Sequence, residues 1–157
     1  MQITASPREC VRGFTLIEMV AVMAITLVLI ALAAPGFRDL MRSQTIKNTS
    51  FNLVSSLVRA RSEAVTRNAN VTVQPVSGSW LNGWVITLAD GTQIGKSDPP
   101  SGITISGPAS VTFNGNGAPT AVPAPFAVSA GDALADNQRC VRLNLSGRPQ
   151  LKKGACS

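Results

Sequence analysis

The sequence predicts an α+β fold in which a long N-terminal transmembrane and amphipathic helix packs on a small antiparallel β-sheet domain. Three observations predict it. Phe14 to Ala34 are 21 positions with Glu18 the only charge, and with no Gly or Pro. From Phe37 to Gln74 no Gly or Pro occurs either. Beyond Asn68 lie 11 of the 13 Gly and 8 of the 10 Pro, interspersed with short β-branched runs.

The first 13 residues are short and polar, and Arg8 and Arg12 place them on the cytoplasmic side of a bilayer. The apolar stretch that follows spans about 32 Å as a helix, enough to cross the hydrocarbon core. Ala31-Leu32-Ala33 has the look of a signal-peptidase site. The stretch is longer than an ordinary signal sequence, however, and has a carboxylate near its start. Glu18 would cost roughly 2.5–3.5 kcal/mol at a bilayer centre, so it is expected to have a partner. Pro35 should kink the helix rather than stop it. Phe37, Leu40, Met41, Phe51, Val54, Leu57, Val58 and Val65 recur at three- and four-residue spacing and predict one buried stripe. The divisions expected are therefore 1–13, 14–36, 37–68 and 69–157.

In the last division strands are expected over Val71–Val76, Gly83–Leu88, Ile103–Ser106, Val111–Asn114, Ala124–Val128, Cys140–Leu145 and Pro149–Lys152. Asn82-Gly83, Asp90-Gly91 and Asn114-Gly115 are hairpin-type dipeptides, and Gly115 to Pro125 reads as an irregular loop.

Composition narrows the function. The chain has no His, and so lacks the commonest general base and metal ligand. It has no Walker A, CxxC or dinucleotide glycine motif. Asp132 and Asp136 with Asn137 fall short of a calcium shell. Trp80 and Trp84 are expected in the core rather than as a ligand platform. Arg59, Arg61 and Arg67 form either an ordinary exposed helix face or a second basic surface. Binding rather than catalysis is expected, with no metal and no cofactor.

Gly13-Phe14-Thr15-Leu16-Ile17-Glu18 opening an apolar helix resembles the class III signal of type IV pilins and pseudopilins. Leu57 to Arg67 (LVRARSEAVTR), Trp80 and Gly83-Trp84-Val85-Ile86 are similar to the helix end and the W…GW strand of the GspH/FimT family. The resemblance implies that a prepilin peptidase cuts between Gly13 and Phe14 and methylates Phe14. It implies an inner-membrane protein, single-pass with its C-terminal domain in the periplasm. That protein then joins other minor and major pilins in a filament exposed at the cell surface. The amine created at Phe14 of a neighbouring subunit would neutralise Glu18 during assembly.

Such processing removes Cys10 and leaves Cys140 and Cys156 in an oxidising compartment, where they are expected to pair. The enclosed loop, 141 to 155, corresponds to about 3 kcal/mol of closure entropy. Processing also localises the charge. The whole net +5 of the remaining chain lies in Arg139, Arg142, Arg148, Lys152 and Lys153, with no acid among them; Phe14 to Gln138 balances. Ser146-Gly147-Arg148-Pro149-Gln150 resembles the Gly-Arg-x-Arg tail of FimT-type pilins, which bind DNA in natural transformation. Gln150 stands where the second Arg would be, and Lys152 and Lys153 supply charge nearby. No aromatic accompanies these residues, so backbone-driven, salt-sensitive binding is expected. Gly-Arg turns also occur in assembly-type minor pilins, and the first 60 residues suit a type II secretion pseudopilin equally. DNA capture is the leading reading, with Arg142, Arg148, Lys152 and Lys153 as phosphate contacts and Arg139 a weaker one. A structural role in priming pilus assembly and a type II secretion pseudopilin are its alternatives, the basic tail counting against the latter. Replacing Glu18 by Leu is expected to improve membrane retention and abolish incorporation into filaments. Membrane fractionation and sheared-filament immunoblots check this, and normal incorporation would sink the pairing of Glu18 with an amine.

Overall fold

The computed structural model describes residues 14–98, 100–130 and 138–156. The segment 1–13, with Gly13 and Cys10, and the loop holding Asp132 and Asp136 lie outside the described residues. Helix α1 is Leu16–Arg67, and it continues through Pro35, which is thus no stop. The helix ends where Asn68 turns left-handed (φ 47°) and the Ala69 N–H reaches the Ala64 carbonyl at 3.2 Å. Asn is the non-glycine residue best suited to that conformation.

The chain divides into two units at Arg38/Asp39. In the first, Leu16–Ala33 is long and apolar enough to cross a membrane, and none of it is buried. In the second, α1 contributes a face of Ile46, Ser50, Leu53, Leu57, Ala60 and Ala64, all at most 1% exposed. Their spacing alternates between three and four residues, one side of a 3.6-residue helix. The buried Ser50 hydroxyl is satisfied by the Ile46 carbonyl at 2.7 Å.

This face corrects the stripe expected from sequence. Leu57 is buried and Val54 half-buried, but Phe37, Leu40, Met41, Phe51, Val58 and Val65 are exposed, Phe51 by 60%. Helical spacing fits two flanks of the same helix. The sheets cover the flank where Ile46, Leu53 and Leu57 are interspersed with the small Ser50, Ala60 and Ala64, and Phe51, Val58 and Val65 are left outside.

Among the described residues eight strands follow. They are β1 (Val71–Pro75), β2 (Trp84–Leu88), β3 (Gln93–Ser97) and β4 (Thr104–Ser106). After them come β5 (Val111–Phe113), β6 (Phe126–Ser129), β7 (Arg139–Leu143) and β8 (Pro149–Lys153). They form two antiparallel sheets of four strands, ordered β3-β2-β1-β5 and β4-β6-β7-β8. Inward positions alternate as expected: Val71 and Val73 on β1, Trp84 and Ile86 on β2, Phe126 and Val128 on β6, Val141 and Leu143 on β7. Trp80 joins the sheets, its ring 6.2 Å from that of Trp84 and 4.9 Å, edge-on, from that of Phe126. Both indole N–H groups are satisfied, Trp80 by the Pro108 carbonyl and Trp84 by the Ser56 hydroxyl of α1. The two tryptophans are core, as expected.

Strand β3 is absent from the sequence expectation. Its one large apolar residue, Ile94, produces no alternation, and it lies at a sheet edge. Pairing with β2 forms it, and Arg59 donates to the Ile94 carbonyl at 2.7 Å beside the register shift. Of the three dipeptides, Asp90-Gly91 makes the β2–β3 turn. There the Asp90 carboxylate accepts the Thr92 N–H at 2.8 Å, which holds its pKa below the ordinary aspartate value. Asn82-Gly83 instead closes the longer β1–β2 connection after a 3-10 turn, Trp80–Asn82. Asn114-Gly115 opens a tight turn that returns to bridge Phe113 with Pro119.

Leu57→Ala is expected to cost about 2–5 kcal/mol, whereas Phe51→Ala should stay within about 0.5 kcal/mol of the parent. Denaturant melts in detergent read both, and equal losses would restore the stripe read from spacing.

Candidate functional site

Two regions bear the residues singled out from sequence. At the start of α1, Phe14 is exposed and Glu18 sits in the first turn. The Glu18 N–H donates to the Thr15 hydroxyl at 3.3 Å, and the Thr15 N–H approaches the Glu18 carboxylate at 3.5 Å. This is a capping box, and it supplies Glu18 with a partner inside its own chain. Thr15 was not singled out beforehand, although Thr-x-x-Glu before an apolar run is the readable signal for it.

The second region is the β7–β8 hairpin. Cross-strand pairs are Arg139 with Lys153, Cys140 with Lys152, Val141 with Leu151, Arg142 with Gln150 and Leu143 with Pro149. Opposed residues share a face, so the pleat sorts the five cations. Arg142 and Lys152 lie on the outer face with Gln150, and the exposed Arg148 precedes β8 in the same alternation. Arg139 and Lys153 fall on the face that carries Val141 and Leu151, at the open end of the hairpin. Arg139 there donates to the Gln138 carbonyl at 2.8 Å. The sequence-predicted set of five is therefore three residues on one face and two on the other. Arg142, directly across from Gln150, puts a guanidinium beside the position where the tail motif lacks its second Arg.

Cys140 and Cys156 form the expected disulfide, with Cα atoms 5.1 Å apart. It ties the last residues to the start of β7, at the open end of the hairpin, across from Lys152. Closure of such a loop contributes on the order of 3 kcal/mol.

The hairpin tip is seated, not free. Asn144 organises it, its side chain accepting the Arg148 N–H at 2.8 Å while its own N–H reaches the Arg148 carbonyl at 3.2 Å. Gly147 is buried with φ +74°, and a Cβ there would overlap the carbonyl oxygen of Gly117. That same oxygen accepts from Arg61 Nε of α1 at 2.9 Å. Gly117 in turn fits against Val65, where a Cβ would sit 2.8 Å from the valine methyl. Helix end, 114–118 turn and hairpin tip thus meet at one carbonyl. Of the other two arginines near the end of α1, Arg67 pairs with Glu63 at 2.8 Å and Arg59 is held by β3. Arg59 and Arg61 thus tie the helix to other parts of the domain, while Arg67 is paired one turn back on the helix itself.

Comparison with known proteins places these features. The family model described as Type II transport protein GspH matches residues 51–147, and that of the prokaryotic N-terminal methylation motif matches residues 10–34. The fold resembles the type IV minor pilin FimU of Pseudomonas aeruginosa strain PAO1 in two crystal forms. In one, identity is 25% and the TM-score 0.62 over 71% of this chain and 93% of that one. In the other, identity is 26% and the TM-score 0.60 over 71% and 98%. The minor pseudopilin EPSH of the Vibrio cholerae type II secretion system shares the fold at 14% identity, with a TM-score of 0.52 over 73% of this chain and 98% of that one. Curated protein sequences give no significant match.

Gly147→Ala is expected to destabilise the domain by about 1–3 kcal/mol, through left-handed strain plus overlap with Gly117. Gly154→Ala (φ +99°, open space around it) should cost about 1 kcal/mol. Thermal melts of the two variants check the seating, and equal shifts would contradict it.

Proposed function

The chain belongs to the GspH family, and from that premise we propose that it is a minor pilin of a type IV pilus whose C-terminal hairpin binds DNA non-specifically for uptake. Family and fold make it a minor pilin or pseudopilin, a subunit of a type IV pilus or of a type II secretion machinery. The methylation motif implies processing by a prepilin peptidase and assembly with other pilins. In the proposal, cleavage falls between Gly13 and Phe14, Phe14 is methylated, and Glu18 meets a neighbour's amine on assembly. The apolar half of α1 anchors the protein in the inner membrane with its domain in the periplasm, until the filament carries it to the surface. The chain is a substrate of processing enzymes, not a catalyst. The greater similarity to FimU than to EPSH favours the pilus over the secretion machinery.

The observation that carries the DNA reading is the outer hairpin face. Arg142, Arg148 and Lys152 share it, and Arg139 to Cys156 contains no acid. At about 3.3 Å per residue, Arg148 and Lys152 stand four residues, about 13 Å, apart along one strand, far enough to meet separate phosphates of one backbone. Lys153 and Arg139, on the other face, are subordinate contacts. Uniform charge without an aromatic predicts affinity that ignores sequence and falls steeply with salt.

A structural minor pilin that does not bind DNA is the second reading, and one observation favours it. Packing on Gly117 accounts for Gly147 without any ligand.

Gel shifts with the detergent-solubilised full chain decide between them. A shift is expected at low salt, with log K falling against log salt by roughly 0.9 per phosphate contacted. Arg148→Gln with Lys152→Gln should remove most of it, and Lys153→Gln much less. No shift at low salt, or an undiminished one in the double variant, refutes the DNA reading.

A further inference from the structure

A shallow cavity of about 330 Å³ lies against the C-terminal end of α1, lined by Arg61, Ser62, Val65 and Thr66. Arg61 with Val65, and Ser62 with Thr66, are two adjacent rows one helical turn long. The cavity adjoins the junction already described. Arg61 is fixed through Nε on the Gly117 carbonyl, and a Cβ on Gly147 would stand 3.2 Å from that nitrogen. Arg148 is the next residue along the hairpin.

The guanidinium is unusual in what it leaves unused. Among the described residues its two terminal nitrogens make no hydrogen bond, and no carboxylate pairs with it. Glu63, the acid closest in sequence, is committed to Arg67. A planar fork anchored at Nε keeps its terminal N–H groups in a set direction, which suits bidentate recognition of an oxyanion. Ser62 and Thr66 are exposed and bring two hydroxyls to the same cavity.

We propose that this notch seats a phosphate of the DNA backbone, with Arg61 supplying charge and the Ser62 and Thr66 hydroxyls supplying donors. The inference rests on the DNA reading of the hairpin and extends it. The cationic track then runs from the outer face of β7–β8 over Arg148 onto the helix, and Gly147 matters because it lets the hairpin tip come down beside Arg61. A phosphodiester is the occupant that matches the neighbouring cationic face. A carboxylate would engage the guanidinium but leave less for the two hydroxyls to bind.

The test measures binding of a labelled 30-base-pair duplex to the full chain in zwitterionic detergent, over a salt series. Arg61→Gln should weaken binding and flatten the log–log salt slope by roughly 0.9, the loss of one phosphate contact. Arg61→Lys should keep the slope, because it keeps the charge. The double variant Ser62→Ala, Thr66→Ala leaves Arg61 and its bond to Gly117 in place. It should weaken binding several-fold at fixed salt with the slope unchanged and the melting temperature preserved, which a purely structural role for this helix end would not produce. If Arg148→Gln weakens binding while the Arg61→Gln slope and the double-alanine affinity match the parent, the notch is overturned and the DNA reading stands. If the parent chain itself fails to bind, both fall.

Discussion

Everything in the second unit depends on one face of α1. Among the described residues the two sheets share no strand, and each has four. Neither could bury its inward side alone. Both close instead on a layer that includes Leu53, Leu57, Ala60 and Ala64, with Trp80 spanning Trp84 and Phe126 between them. The buried row combines large and small side chains, Ile46, Leu53 and Leu57 with Ser50, Ala60 and Ala64, and Phe51, Val58 and Val65 lie on the outside. An ordinary helix gains most of its stability by burying its largest apolar side chains. Here Phe51, one of its largest, lies outside the core.

A second constraint acts through polar groups. Arg61, Gly117 and Gly147 bring α1, the turn after β5 and the β7–β8 tip to a single carbonyl oxygen. Gly147 is required there whatever the hairpin binds, since its φ and the lack of room both exclude a side chain. The disulfide from Cys140 to Cys156 secures the other end of the hairpin. A strand pair at the edge of a sheet, held at its tip and at its base, is rigid enough to present side chains in fixed register. The same features serve a binding surface or a subunit contact, and for that reason the division of charge between the hairpin's two faces carries more functional weight than the glycine does.

Much of this was legible beforehand, and the gaps have physical causes. Strands with alternating Val, Ile and Trp were readable as periodicity, whereas β3 was not, because edge pairing and the Arg59 contact replace hydrophobic alternation there. Asp90-Gly91 announced a turn correctly since the turn needs only local chemistry. Asn82-Gly83 misled, because a tryptophan that must reach the core lengthens the connection before it. The disulfide followed from cysteine number once processing was assumed. The spacing of Thr15 to Glu18 is a recognisable cap signal, while the role of Arg61 has no local signal at all.

By itself the sequence determined the elements whose causes are local or compositional. These are the apolar span before Pro35, the uninterrupted helix to Arg67, the turn-rich β region and the concentration of positive charge after Gln138. Only the tertiary structure decided which flank of α1 is buried, which of the five cations share a face, and that Arg61 stands beside the hairpin tip. Each of these depends on contacts between residues far apart in the chain. Helical spacing allows either flank, and a run of charges does not reveal the pleat until its partner strand sets the register.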